Sequence, residues 1–286
     1  MRFALNKPVK IIMLGAGGTG GHVAPHLYRL LHTLDRNTKV VICDGDVVEE
    51  KNLVRQNFIS ADLGKNKAQV LAERYAGAFG LEVSYIPEFI EDVGWLAALT
   101  KPDMFQAEPY SYRKQAGLSI LIGCVDNNRS RQLCHEVFKA ADNLIYIDSG
   151  NGEYNGQVVC GIRRSGRTYY KPIGEIYPDV LAGAGIKAET DAEAGIKAET
   201  DADAEAGTGT EAEVDKFPTQ LSCADAAVSA PQSIVANIMA ATAITSYLYN
   251  ILVLGNIETR YVTFSTKTVN IRPVVVEKRK RKIKSN

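Results

Sequence analysis

The chain has 286 residues, 45% hydrophobic and 23% charged, which is enough for one large α/β domain or one domain with appendages. Lysines plus arginines number 33, as do aspartates plus glutamates, so the net charge gives no reason to expect a nucleic acid partner. The five cysteines are scattered without a CxxC pair, which argues against a disulfide framework and against zinc. The first residues lack the apolar core of a signal peptide, so we expect a cytoplasmic protein.

Short apolar runs alternate along the chain with segments of helical periodicity, an order typical of a Rossmann-like α/β fold. Such a fold has a mostly parallel sheet with helices on both faces, and the last two runs predict antiparallel strands that extend it. The predicted strands are 9–14, 39–44, 81–86, 118–126, 144–148, 156–163, 259–265 and 269–273. The predicted helices are 24–32, 65–79 and a segment that follows 126 and ends at about 141.

Composition divides the chain into four parts. Residues 1–180 are predicted to form a nucleotide-binding core, and 219–275 a helix and strands that complete the same domain. Between them, 181–218 contains a tandem repeat and few large apolar residues, so we predict a solvated, disordered loop. The basic tail at 276–286 is predicted to be frayed, with contact to an acidic partner or nucleic acid as the alternative.

A long uncharged stretch, from 226 to 257, raises the question of a membrane span. It contains Asn237, Thr242 and Asn250, which are costly against lipid but easily paired inside a protein. We therefore predict a buried helix of the domain and no membrane.

A glycine-rich turn follows the first predicted strand. Gly15 makes the tight turn, and either Gly17 or Gly18 lets a phosphate approach the backbone. Gly20 lets the helix pack on the strand, and helix amides then face the anion. Asp44 ends the next strand, where a carboxylate suits a ribose hydroxyl. The pattern predicts nucleotide binding; a tight turn without a ligand is the alternative.

Two cationic residues follow the glycine-rich turn, and an enzyme that transfers hydride with a dinucleotide cofactor would not need them. Arg55 can return to a triphosphate, although a solvated arginine is the common alternative. Asn52 can orient this loop or touch phosphate or metal. Lys67, with Lys65, is predicted in a helix first turn, where the positive dipole end makes a cation unusual unless an anion lies opposite. A helix-surface lysine is the other interpretation.

Asp126 and Cys223 are the remaining candidates for chemistry. Asp126 ends a buried strand, where it could hold Mg²⁺ on the phosphates or cap the following helix. Arg131 could pair with it or be solvated. Cys223 lies at a loop-to-helix junction that could activate a thiol, but a small buried core residue is the better-supported interpretation.

Taken together, these motifs closely resemble the ThiF/MoeB family, the prokaryotic relatives of ubiquitin-activating enzymes. The match covers residues 8 to about 160 and resumes faintly at 222–225, and it is most similar to the ThiF-like proteins of the PRTRC plasmid-borne system. The motifs that carry the resemblance are GAGGTG at 15–20, DGD at 44–46, NLVRQN at 52–57, GKNK at 64–67, VDNNRSR at 125–131 and DSGNG at 148–152.

The resemblance implies an adenylyltransferase of the ubiquitin-like modifier activating type. MgATP and the C-terminal glycine of a small ubiquitin-like protein would react to give an acyl-adenylate and pyrophosphate. By motif position, Arg55 and Lys67 would stabilise the phosphates and Asp126 would place Mg²⁺. The nucleotide-binding positions would be Gly15, Gly17, Gly18, Gly20, Asp44, Asp46, Asn52, Arg55, Gln56 and Lys67.

The sequence also departs from the family. The paired CxxC motifs are absent, so no zinc is expected, and the short N-terminal segment leaves a homodimer open. Cys223 aligns with a cysteine that carries sulfur in some relatives and is idle in others. Two alternative functions remain open. The protein could be an NAD-dependent oxidoreductase, although that function gives Arg55, Lys67 and Asp126 no joint role. It could also be a catalytically silent relative that binds a nucleotide.

Overall fold

The computed structural model describes residues 1–106, 114–184, 217–220 and 232–275. The tandem repeat, Cys223 and the basic tail, all singled out above, lie outside these residues. In chain order the strands and helices are β1 (Val9–Leu14), α1 (Gly18–His32), β2 (Thr38–Cys43), α2 (Lys67–Phe79), β3 (Tyr85–Ile86), α3 (Val93–Thr100), β4 (Met104–Gln106), β5 (Lys114–Ala116), β6 (Leu118–Gly123), α4 (Asn128–Ala140), β7 (Leu144–Asn151), β8 (Asn155–Arg164), β9 (Arg167–Tyr170), α5 (Ile173–Ile176), α6 (Ile234–Leu252), β10 (Thr259–Ser265) and β11 (Asn270–Val275).

The described residues form a nine-stranded sheet in the order β11-β10-β8-β7-β6-β1-β2-β3, with β9 beside β8 and a separate β4–β5 hairpin. From β3 to β7 neighbouring strands run parallel. From β7 to β11 they run antiparallel. This arrangement confirms the predicted Rossmann-like fold with antiparallel strands added at its C-terminal side.

The strand order reverses at β1, which lies between β2 and β6. The chain leaves β1 toward β2 on one side and reaches β6 on the other, so the loops after these strands diverge and leave a crevice. Ligands of open α/β sheets bind at this point, and the glycine-rich turn begins directly after Leu14.

Two hydrophobic cores cover the two faces of the sheet. Alternate side chains of β1 point to opposite faces, so Ile11 and Met13 enter one core and Ile12 and Leu14 the other. The first core is completed by α1, α2 and α6, and the second by α3 and α4. Because both faces are covered, the parallel strands read as nearly continuous apolar runs in the sequence.

Helix α1 begins at Gly18, six positions before the predicted start at 24, because helix propensity undervalues glycines that tertiary packing buries. Pro25 lies inside this helix and has no N–H for the carbonyl of Gly21. The side chain of Asn57 donates to that carbonyl instead, over 3.1 Å. The loop that carries Arg55 is therefore fastened to α1 at the point where proline interrupts its hydrogen bonds.

Other elements differ in extent from the prediction. Strand β3 is shorter than 81–86, since Glu82 and Val83 are exposed at the edge of the sheet. The sequence pattern did not predict α3, the β4–β5 hairpin, β9 or α5, which are short elements that tertiary contacts hold. In β11, Pro273 is tolerated because the strand lies at the end of the sheet order.

Helix α6 is long and apolar enough to cross a membrane by length and composition, and half of that stretch is buried inside the protein. Its buried side chains, among them Ile244, Tyr247 and Leu248, join the core shared with α1 and the sheet. The structure thus agrees with the prediction of a helix packed within the domain.

Candidate functional site

The glycine-rich turn has the shape needed to bring an anion against the backbone. Gly15 has φ +91°, and a Cβ there would collide with the carbonyl of Cys124. A Cβ on Gly20 would collide with the carbonyl of Gly15, so this glycine serves close packing as predicted. Gly17 is the N-cap of α1, and no side chain caps the helix. Among the described residues, the amides in the first turn of α1 therefore have no side-chain acceptor, and they can bind an anion.

Asp44 is buried and fastens the glycine turn to the second strand. Its Oδ2 accepts from the Ala16 N–H (2.6 Å), and its Oδ1 accepts from the Asp46 N–H (2.8 Å). Burial, followed by the nearby Asp46 carboxylate, raises the pKa of Asp44 to about 6. Both carboxylate oxygens of Asp44 thus accept a hydrogen bond from the backbone. A contact with a ribose hydroxyl must therefore use the remaining lone pairs of these oxygens.

Lys67 is buried, with 5% of its surface exposed, and its ammonium contacts Asp46 Oδ2 at 2.8 Å. It is the first residue of α2, whose cap is Asn66: Asn66 Oδ1 accepts from the Gln69 N–H (3.0 Å). The Asn66 amide also donates to the Asp44 carbonyl, so helix α2 is fixed beside the loop after β2. Lys65 is exposed and precedes the helix, contrary to the predicted start at 65.

The loop between β2 and α2 brings Arg55 and Gln56 toward the glycine turn. Asn52 is buried, and its Oδ1 accepts from the Glu49 N–H (2.9 Å), so it orients this loop. The guanidinium of Arg55 donates to Gln232 Oε1 over 3.1 Å. Gln56 lies beside Gly17, and its Oε1 is buried without a hydrogen-bond partner among the described residues. This loop therefore presents a cation and an unused amide oxygen near the turn.

Asp126 follows β6 at the carboxyl edge of the sheet and is exposed. Within the described ranges its carboxylate makes no hydrogen bond or ion pair, which leaves it available to a cation. The suggestion that it caps the next helix is wrong, because Asn127 is the N-cap of α4 and accepts from the Ser130 N–H (2.8 Å). Asn127 occupies the N-cap position because it is one residue closer to the first helical turn than Asp126.

Arg131 does not pair with Asp126 and is not solvated. Its Nε donates to Asp148 Oδ1 (3.3 Å), and its Nη2 donates to the carbonyls of Val125 (2.6 Å) and Ser149 (3.3 Å). Asp148 is fully buried, and this burial raises the pKa of its carboxyl group. The positive charge of Arg131 acts in the opposite direction and lowers that pKa. Arg131 thus ties together the carboxyl ends of β6 and β7, directly before Asp126.

The start of α6 also reaches the site, which the sequence reasoning missed. Gln232 accepts from Arg55 as described, and Asn237, fully buried, lies against Gly18. The available signal was Asn237, an asparagine in an otherwise apolar helix turn, which by itself argues only against a membrane span. No group of three His, Cys, Asp or Glu placed to hold a metal occurs in the described part of the chain.

Comparison with known proteins identifies the family of this chain. The sequence model of the ThiF family matches residues 5–285. A search of curated protein sequences finds no match. Among solved structures, PaaA is 16% identical with a TM-score of 0.53, covering 93% of this chain and 64% of that one. E. coli MccB with ATP is 17% identical with a TM-score of 0.57, covering 95% and 64%.

A further structure, the microcin C7 biosynthetic enzyme MccB in complex with N-formylated MccA, is 16% identical with a TM-score of 0.59 over 93% and 64% of the two chains. At such identities the likeness establishes the fold. The chain spans less than two thirds of the length of these proteins. Since the family model covers nearly the whole sequence, the protein belongs to the ThiF family.

Proposed function

We propose that this protein uses ATP to adenylate the C-terminal carboxylate of a small partner protein, of the ubiquitin-like kind that ends in glycine. The observation that carries the proposal is the buried Lys67, whose ammonium contacts Asp46, two residues after the Asp44 carboxylate that binds the glycine turn. Structures of MccB with ATP and with MccA support a nucleotide and a small peptide as the two substrates. The narrower assignment to the PRTRC system stays a prediction.

In the proposed reaction the partner's carboxylate oxygen attacks the α-phosphorus of ATP. The bond from that phosphorus to the bridging oxygen breaks, and pyrophosphate leaves with its electron pair. Negative charge grows on the phosphate oxygens, where fixed cations are worth more than in water. In this proposal Lys67 and Arg55 supply those cations, and the first-turn amides of α1 bind the phosphates.

Asp126 fits the role of magnesium ligand, because Mg²⁺ favours one or two carboxylates together with substrate oxygens. The carboxylate is exposed at the carboxyl edge of β6 and is unpaired within the described residues. Bound there, Mg²⁺ would neutralise phosphate charge. The proposed reaction stops at the acyl-adenylate and does not require a homodimer. Further transfer through Cys223, which lies outside the described residues, stays a separate prediction.

The test is ATP–pyrophosphate exchange with the small glycine-terminated protein encoded nearest to this gene. We expect exchange that disappears when the partner's last glycine is removed. Lys67→Ala and Asp126→Ala should each lower the exchange rate by about 10²–10³-fold. Both variants should fold, because Asp46 is half exposed and tolerates the loss of Lys67, and Asp126 is itself exposed.

Lys65→Ala is the matched control, since this exposed lysine lies two residues before Lys67 and outside the helix. It should exchange at the wild-type rate. Full exchange in both site variants would refute the proposal. Tight ATP binding without exchange by the wild type, with the partner present, would instead identify a catalytically silent relative, and dependence on a nicotinamide cofactor would identify an oxidoreductase.

A further inference from the structure

The segment at the start of α6 contacts the candidate nucleotide site at two separate places. Gln232, just before the helix, accepts a hydrogen bond from Arg55. Asn237, in the first turns of the helix, lies against the first residue of α1, and a Cβ on Gly18 would collide with its amide nitrogen. Glycine at position 18 therefore permits this close approach. At Gly17, by contrast, a Cβ would lie at ordinary contact distance from the side chain of Gln56.

The Asn237 amide is oriented by a chain of hydrogen bonds. Thr19 Oγ1 donates to Asn151 Oδ1 (3.2 Å), and Asn151 Nδ2 donates to Asn237 Oδ1 (2.8 Å). Because Oδ1 is used as an acceptor, Nδ2 is turned toward Gly18. The side chain is fully buried, yet Nδ2 has no partner among the described residues.

A buried amide donor without an acceptor is costly, and most such groups in folded proteins find a partner. Within the described ranges no side chain caps the first turn of α1, so the backbone groups that face this end of the helix are N–H donors as well. A neutral N–H beside further N–H groups is suited to an anionic oxygen, which can accept several hydrogen bonds at once.

We propose that Asn237 Nδ2 donates to an anionic oxygen bound at the first turn of α1 and so acts as a binding residue from the C-terminal half of the chain. The proposal rests on the proposed function, whose two substrates each supply such an oxygen: a phosphate of ATP or the C-terminal carboxylate of the partner. Helix α6 thereby becomes part of the site rather than only part of the core.

The test compares Asn237→Asp with the wild type at pH 8, by competition of ATP and of adenosine against a fluorescent ATP analogue. The aspartate keeps the shape but replaces the donor by an acceptor. We expect ATP affinity to fall by at least about tenfold, as for a lost hydrogen bond to a charged group, and adenosine affinity to stay unchanged. The control is Asn250→Asp on the same helix, whose amide donates to the Ser246 carbonyl away from the site.

Asn237→Ala, which removes the amide without adding charge, serves where the aspartate variant does not fold. Unchanged ATP affinity with a tenfold higher KM for the partner would assign the oxygen to the partner's carboxylate and would also support the proposal. Unchanged affinity for both substrates would overturn it. A wild type that fails to bind ATP would count against the proposed function, whereas loss confined to the Asn237 variants tests this inference alone.

Discussion

Arg131→Met tests how the carboxyl ends of β6 and β7 are held together. In the wild type the guanidinium contacts the Asp148 carboxylate and the carbonyls of Val125 and Ser149, with only 12% of the arginine side chain exposed. Methionine keeps the apolar length of the side chain but removes every one of these donors. The fully buried Asp148 is then left with the Tyr146 hydroxyl, at 2.6 Å, as its remaining partner.

The size and pH dependence of the effect follow from burial. Removing one member of a buried ion pair typically costs about 3–5 kcal/mol, and Asp148 has no access to water that would reduce this cost. Burial already holds the pKa of Asp148 above its usual 3.8 and Arg131 opposes that rise, so the variant's pKa is higher still. A carboxyl whose pKa is raised in the folded protein contributes stability at low pH, and this stability is lost as pH rises. Because the pKa of Asp148 is higher in the variant, the difference in unfolding free energy between wild type and Arg131→Met should grow from pH 5 to pH 8.

The assay is urea unfolding followed by circular dichroism at pH 5, 6.5 and 8. Asp148→Asn added to Arg131→Met should recover part of the loss, because the neutral side chain no longer needs a cation. Arg129→Met is the control: it lies in the first turn of the same helix and stacks on Phe217, and its loss should cost less than about 1 kcal/mol. A loss below 1 kcal/mol for Arg131→Met at pH 8, or one independent of pH, would refute this reasoning.

Two further predictions concern the hydrogen bonds of Asp44 and Arg36. Because burial raises the pKa of Asp44 from 3.8 to about 6, the wild type should lose stability relative to Asp44→Asn as pH rises from 4 to 7, by up to about 3 kcal/mol. Urea unfolding across that range measures the difference, and parallel pH profiles would contradict it. Arg36 donates to the carbonyls of Leu5 (2.8 Å) and Leu252 (2.7 Å), so Arg36→Met should lower the free energy of unfolding by about 1–2 kcal/mol. A loss under 0.5 kcal/mol in the same assay would show that water replaces these bonds.

Local sequence patterns were sufficient for most of the sheet. The apolar runs at 9–14 and 144–148 are strands because both faces of the sheet are covered, and burial on both faces leaves a continuous apolar signature. The second strand continues to Asn151, three residues beyond the predicted end. The glycines at 15 and 20 were correctly read as turn and packing residues, since positive φ and backbone contact exclude a Cβ there. These features depend on neighbours a few residues away, which the sequence displays directly.

Asn127, and not Asp126, caps α4, a choice that depends on one residue of helix phase. Other features depend on which distant segments meet. Arg131 faces Asp148 because β6 and β7 are adjacent in the sheet. Short elements such as α3 and β9 have too few residues to be stable alone and form only when packed against the domain.

The family motifs, the parallel sheet and the position of the glycine turn after β1 can be recognised from local residue patterns. The contact of α6 with the same site follows from the packing of distant segments, through a network in which Thr19 and Asn237 lie 218 positions apart. No periodicity or spacing encodes such a contact, because it exists only after the two halves of the chain have packed on one face of the sheet. The direction of a buried amide, and hence its availability to a ligand, is fixed at that last step.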